Sequence, residues 1–228
     1  IFSNGSIISA ESGFKNRIIN GDFTVWQRGT TFTPSSFTTA TCYGPDRWYA
    51  YRGAKVPNTL TMSQSPISFN GTNRTALRVQ RVPGDSYNGG TYYMAVAQQI
   101  ESFNCVDLGG KTAAISLWAR VGASFSGDSL VIGLYTGTGT DESAVTAGGF
   151  TGEYSALSQG YPASGLAGAF VRLTYLVQIP NNVGEMRLTV SYTPKGTAGT
   201  NDWFEILDVQ LEKNNFFASD FERIDYPT

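Results

Sequence analysis

The sequence predicts an all-β chain folded as a two-sheet antiparallel sandwich. Three observations carry this. Apolar and polar residues alternate with period 2 in segment after segment. Gly, Pro, Asn and Asp break these segments at turn spacing. The length of 228 residues is enough for one large β domain with a full core.

Residues 1–15 are rich in Ser and Gly, lack a core pattern, and read as an N-terminal arm or linker. The sandwich domain then occupies 16–228. The first strand is expected over 17–26, with Ile19, Phe23 and Val25 on one face and Asn20, Asp22 and Thr24 on the other. A Thr/Ser-rich loop follows from Arg28 to Thr41, and a second strand signal starts at Asp46-Arg47-Trp48-Tyr49. Trp26 and Trp48 read as core or rim residues. Further strands are expected over 59–64, 75–82 and 91–101. Residues 91–106 hold no Gly or Pro and could be partly helical, but Tyr92, Tyr93 and the Val96-Gln98-Ile100 alternation favour a strand.

The segment 111–121 alternates Ile115, Leu117 and Ala119 against Ser116, Trp118 and Arg120. In 129–136, Leu130, Ile132 and Leu134 oppose Val131 and Tyr135. In 170–179, Val171, Leu173, Tyr175 and Val177 oppose Arg172, Thr174 and Gln178. In 186–192, Met186, Leu188 and Val190 oppose Arg187, Thr189 and Ser191, and the last strand is expected over 203–212. Turns fall at Pro83-Gly84-Asp85, Asn88-Gly89-Gly90, Gly109-Gly110 and Pro180-Asn181-Asn182. Residues 137–169 are Gly-rich and weakly patterned, and read as a long functional or mobile loop. Nine or ten strands with one polar face each imply two packed sheets joined by Greek-key connections, a jelly roll. The first and last strands should then lie together in one sheet.

Composition narrows the function. The formal charge of -2, from 16 basic and 18 acidic residues, gives no basic patch for nucleic acid. No stretch of 18 apolar residues is present, so membrane insertion is not expected. No signal peptide is visible, and a start at Ile1 reads as a fragment or processed product. There is no histidine, which removes the usual general base, the Ser-His and Cys-His nucleophile pairs and most zinc or copper sites. Cys42 and Cys105 could form one disulfide, but with no CxxC or dense framework they read as two separate thiols. Paired carboxylates are the remaining enzymatic route, with Glu101, Asp141, Glu142, Glu153, Glu205 and Asp208 as candidates. Solvated loop and strand-edge acids are the plainer reading, so the chain is expected not to be an enzyme.

The aromatic residues, 4 Trp, 12 Tyr and 14 Phe, point to a ligand instead. Sugar rings present C–H patches that stack on flat aromatic faces, while amides, carboxylates and guanidinium groups bind the hydroxyls. Trp118 and Arg120 share a polar strand face, and Gln99, Tyr93 and Tyr135 would join them if their strands were neighbours. The alternative puts Trp118 in the core with Leu117 outward. Tyr154 and Tyr161 sit in the expected loop, where exposed aromatics also anchor ligands. The candidate glycan-binding set is therefore Trp118, Arg120, Gln99, Tyr93, Tyr135 and Tyr154.

Two ends of the chain carry a resemblance. Asn16-Arg17-Ile18-Ile19-Asn20-Gly21-Asp22-Phe23, Trp26-Gln27-Arg28-Gly29 and Pro45-Asp46-Arg47-Trp48 resemble the opening of phage tail-fibre and receptor-binding domains. Asp202-Trp203, Ile206, Val209-Gln210-Leu211-Glu212 and Phe221-Glu222 resemble their close, and Gln98-Gln99-Ile100 with Ile115-Ser116-Leu117-Trp118-Ala119-Arg120 fit between. The wider group is the jelly-roll carbohydrate-binding modules, some of which hold a structural calcium ion. Asp208 matches one acid of that calcium site, but Thr24 stands where the group has Glu, leaving Asp208 a weak calcium-ligand candidate. The resemblance implies an extracellular virion component: a homotrimeric tail-fibre head that binds host cell-surface polysaccharide and contacts other virion or fibre subunits. A capsid-decoration or fibre-assembly domain is the structural alternative, and a carboxylate-based glycan-cleaving enzyme the third.

Overall fold

The computed structural model describes residues 15–33, 41–52, 60–87, 93–144, 149–213 and 216–222. Apart from Lys15, the expected arm lies outside the described residues, as does the Asn88-Gly89-Gly90 turn. The fold is a jelly-roll β-sandwich, as the alternation predicts. The first sheet runs in the order β1 (Thr31–Phe32), β4 (Leu60–Phe69), β5 (Thr72–Arg81), β14 (Trp203–Lys213), β8 (Thr112–Val121) and β11 (Val171–Gln178). The second runs β10 (Tyr154–Pro162), β9 (Ser129–Gly137), β12 (Glu185–Tyr192), β7 (Met94–Ile100), β3 (Trp48–Arg52) and β2 (Thr41–Tyr43). A small ladder joins β6 (Ser86–Tyr87) to β13 (Gly196–Thr197). All ladders between these strands are antiparallel.

The core lies where the inner faces meet. Ile115, Leu117 and Ala119 of β8, Leu130, Ile132 and Leu134 of β9, and Met186, Leu188 and Val190 of β12 are all buried there. Leu117 points inward and Trp118 outward, which decides between the two readings of that strand. Cys42 and Cys105 are free thiols, and burial pushes the Cys105 thiol up to about 12.

β14 is the strand most enclosed. A register shift between Leu207 and Gln210, with Asp208 at φ 51°, forms a bulge. Phe204 and Ile206 face the core before it, and Val209 and Leu211 after it. The bulge changes which residues point inward, so WFEILDVQLEK shows no unbroken alternation. β5 pairs with β14 only from Trp203 to Ile206. Beyond that the opening segment takes its place: Arg17 N donates to Leu211 O at 2.8 Å and Val209 N to Gly21 O at 2.9 Å. Asn16 Oδ1 accepts from Leu211 N at 3.1 Å, and Asn16 N donates to Glu222 Oε2 at 2.8 Å.

The opening segment is not the strand expected over 17–26. Asn20 (φ 54°) and Phe23 (φ 55°) break any extended run. The inward residues are Ile18 and Phe23, whereas Ile19 is 41% exposed. The Asn20 side chain causes this turn, bonding both Val25 N and Val25 O at 2.9 Å and Asp46 O at 3.1 Å. The first formal strand, β1, shares a sheet with β14 but lies at its far edge. The expected proximity of the chain's two ends therefore comes from the irregular segment before β1.

Two other expectations change. The presumed loop 137–169 contains β10, an edge strand whose polar, bulged sequence leaves no apolar alternation to read. The strand expected over 91–101 ends at Ile100, and two single-turn 3-10 segments follow, Ser102–Asn104 and Val106–Leu108. Strand and helical readings each describe part of that run.

Buried Arg81 pins the region around the small ladder. It donates to Asp85 O (2.7 Å) and Gly196 O (2.8 Å) and pairs with buried Asp202 (3.3 Å). Replacing Arg81 with Met leaves Asp202 buried without its cation and is expected to cost about 3–5 kcal/mol in urea unfolding. A Cβ at Gly21 would overlap the Val209 carbonyl, so Gly21→Ala should cost about 1–3 kcal/mol in the same assay.

Candidate functional site

The two outer faces of the sandwich carry different chemistry. On the first sheet, Trp118 and Arg120 point outward from β8 as the alternation predicts. Both are engaged within the fold. Arg120 Nε donates to Glu205 Oε2 at 2.5 Å, and its Cζ lies 4.5 Å from the Phe170 ring centre. The Trp118 ring meets Phe69 edge-on at 5.0 Å, and Phe69 meets Phe170 at 5.5 Å. Glu205, fully buried, also accepts from Ser65 Oγ at 2.6 Å and Arg78 Nε at 2.8 Å. Trp203 packs under Arg78, whose Cζ is 4.4 Å from its ring centre. This face is tied together by its own ion pairs.

A cavity of about 370 Å3 opens beside Trp118, lined in part by Arg74, Arg172, Asp208 and Asp220. The Asp208 carboxylate, the calcium-ligand candidate, is occupied by Arg74. Among the described residues no cluster of three or more His, Cys, Asp or Glu side chains gathers to hold a metal ion.

The second sheet brings together Gln99, Tyr93 and Tyr135 from the predicted set, but on the opposite side of the sandwich from Trp118 and Arg120. The condition for all five to share one face, that their strands be neighbours, is not met: β7 and β9 belong to the second sheet and β8 to the first. The register explains what the second face offers. Tyr135, Arg187 and Gln99 stand side by side across β9, β12 and β7. The next row reads Gly133, Thr189, Ala97, Tyr49 and Tyr43. The row after it holds Val131, Ser191, Ala95 and Tyr51. Small side chains thus form a floor, and tyrosines rise beside it.

Arg187 lies over this floor. Its Cζ is 4.9 Å from the Tyr135 ring centre, 5.5 Å from Phe150 and 5.6 Å from Tyr51. Its NH2 donates to Glu153 at 3.1 Å. Tyr43, Tyr49, Tyr51 and Tyr93 follow in a chain of ring contacts at 5.7–5.9 Å. Tyr43 is 54% and Tyr93 39% exposed, so both offer ring surface to solvent. A polar cavity of about 420 Å3 adjoins this row, lined by Arg28, Tyr43, Arg47, Tyr49, Gln99, Glu101, Asp141, Glu142 and Ser143.

The acids considered as a catalytic pair each have a partner. Arg47 pairs with Glu101, Ser102 N donates to Asp141 at 2.8 Å, and Arg187 pairs with Glu153. Thr151 N and Oγ1 donate to Glu142 at 2.6 and 2.7 Å and hold its carboxyl below the ordinary value. Glu205 and Asp208 are held by arginines. Buried Glu185, behind this cavity, accepts from Glu142 N at 2.7 Å, and burial raises its carboxyl.

Tyr154, 58% exposed, joins neither group. It stands at the start of β10 beside a third cavity, of about 490 Å3, that includes Gln178, Pro180 and Asn182. Tyr161, at the other end of β10, packs partly against the core.

No family model matches the chain, and no curated protein matches it. Solved structures do. Its fold is similar to that of a phage tailspike domain. That structure, the enzymatically active domain of tailspike protein 4 from bacteriophage CBA120, superposes with a TM-score of 0.51 at 12% identity over 88% of this chain. The chain spans 22% of the length of that tailspike chain. The C-terminal family 22 carbohydrate-binding module of Clostridium thermocellum Xyn10B matches with a TM-score of 0.45 at 15% identity, covering 78% of this chain and 93% of the module.

Sequence reasoning missed Tyr43, Tyr49, Tyr51 and Arg187 as parts of one surface. The signal for two of them was present, since Tyr49 and Tyr51 alternate with Trp48 and Ala50 in WYAYR. Burial raises the Tyr49 hydroxyl to about 12, with nearby Arg187 pulling the other way, and it raises Tyr51 and Tyr192 as well. An unfolded tyrosine titrates near about 10. Stability is therefore expected to hold below pH ~10 and to fall as pH rises further, because the unfolded chain releases protons that the folded chain keeps. Each such tyrosine contributes up to about 1.4 kcal/mol per pH unit in that window. Urea midpoints between pH 9 and 12 should show a shallower fall for Tyr49→Phe.

Proposed function

We propose that this chain is the glycan-binding head of a phage tail fibre and that it engages host surface polysaccharide through the outer face of the second sheet. The observation that carries the reading is the pair of exposed rings Tyr43 and Tyr93, backed by buried Tyr49 and half-buried Tyr51 and Tyr135 around a floor of Ala95, Ala97 and Gly133. Exposed tyrosine rings fit the C–H faces of sugars. Gln99, Glu101, Asp141 and Arg47 in the adjoining cavity supply the mixed donors and acceptors that hydroxyl groups require. The first sheet's outer face lacks such a platform, because Phe69 packs on Trp118 and Glu205 holds Arg120.

The proposed role is non-catalytic, a reading supported by the engagement of Glu101, Asp141, Glu142, Glu153, Glu205 and Asp208 with arginines or with backbone and hydroxyl donors. Placement on a virion is supported by the opening and closing sequence blocks and by the similar fold of a phage tailspike domain. Each site would bind weakly, and several copies on one particle would multiply the affinity.

Binding of the purified chain to an array of bacterial envelope polysaccharides tests this. Saturable binding is expected, with Tyr43→Ala and Tyr93→Ala each weakening it about tenfold, a loss of ~1.4 kcal/mol. Trp118→Ala should leave it unchanged. Binding that Trp118→Ala removes and the tyrosine variants do not would move the site to the first sheet. No binding to any polysaccharide would favour a structural role in the virion.

A further inference from the structure

Four strands bound the two sheets: β1 and β11 in the first, β10 and β2 in the second. β1 has two residues and β2 three, too short to template another strand. β11 carries Arg172 close to one end. β10 differs from all three. It is nine residues long, contains no charged residue, and is largely exposed along its length. It pairs with β9 on one side. Among the described residues no backbone hydrogen bond reaches its other side. Edge strands are normally kept from pairing by charge, proline, shortness, bulges or a cover, because their open N–H and C=O groups bind other strands. β10 has a bulge between Ser155 and Leu157 and a proline as its last residue. Between these, among the described residues, Leu157–Tyr161 is a regular edge whose outer side carries no backbone hydrogen bond.

We propose that this edge pairs antiparallel with the same edge of a second copy of the chain, joining two second sheets into one. The occupant follows from the sequence of the edge. A two-fold axis at Gln159 sets Gln159 opposite Gln159, Leu157 opposite Tyr161 and Ser158 opposite Gly160. Gln159 can donate to and accept from its twin. Leu157 and Tyr161 form an aliphatic–aromatic cross-strand pair, and Ser158 and Gly160 leave the backbones free to approach. No like charges meet. The strand is its own complement, and it offers no charge to select a different partner. The association is weak for the free chain and is strengthened where chains are held close together on one particle.

Sedimentation equilibrium of the purified chain tests the proposal. A reversible dimer is expected, with a dissociation constant on the order of 100 µM or tighter. Gln159→Lys and Gln159→Glu should each be monomeric, since each sets like charges face to face. An equimolar mixture of the two variants should recover the dimer, an outcome that damage to the fold would not produce. A wild-type chain that remains monomeric throughout this range overturns the proposal. So does self-association that Gln159→Lys leaves intact, or a mixture that fails to recover it. These results are separate from glycan binding, which the tyrosine variants report.

Discussion

The structure depends on the seam between the opening segment and β14. β14 pairs with β8 along most of its length, but β5 accompanies it only as far as Ile206. The bulge at Asp208 leaves its remaining backbone groups without a strand on that side. Asn16, Arg17 and Gly21 supply the missing partners. Leaving such buried groups unpaired costs about 1–3 kcal/mol each. Gln210 and Glu212, buried on the same strand, bind Glu222 N at 2.8 Å and Ser219 N at 2.6 Å, so the closing segment is drawn over the seam as well. Asn20 and Gln98 continue the arrangement into the second sheet: Gln98 bonds both backbone groups of Ile19 at 2.7 Å, and Trp48 Nε1 donates to Asn20 O at 3.2 Å. Phe23 and Trp48, with ring centres 5.2 Å apart, fill the space beneath.

This seam gives the opening and closing sequence blocks a physical meaning. Asn16, Asn20, Gly21, Phe23, Trp48, Gln210 and Glu222 act on one another, and their chemistry is used up in closing the sandwich. They specify the fold and are not free to meet a ligand. In the proposed function, recognition falls to residues that the seam holds in place. β3 begins at Trp48, and from it Tyr49 and Tyr51 point away from the core toward the outer face.

The two outer faces show how one alternation pattern yields two surfaces. On the first sheet the outward positions are filled by Arg78, Arg120, Glu205 and Trp203, whose opposite charges and stacked rings satisfy one another. On the second sheet small residues occupy the middle positions; Tyr49 beside them is buried, and Tyr43 and Tyr93 at the margin keep exposed ring surface. Among the described residues Arg187 pairs with one carboxylate, Glu153, and is otherwise enclosed by rings.

The sequence by itself determined the sandwich, the inward sets of β8, β9, β12 and most of β11, and the outward direction of Trp118. These rest on period 2, which is a local property of the extended chain. It could not place Asn20 and Phe23 in the left-handed region, so a turn read as a strand. Nor could it show β10, whose polar residues pair by backbone alone. Which faces share a surface was decided only by tertiary structure. Sheet membership depends on strand order, and strand order is set by contacts between segments far apart in the chain. That is why Trp118 and Arg120 parted from Gln99, Tyr93 and Tyr135, and why Tyr43, Tyr49, Tyr51 and Arg187 came to join them.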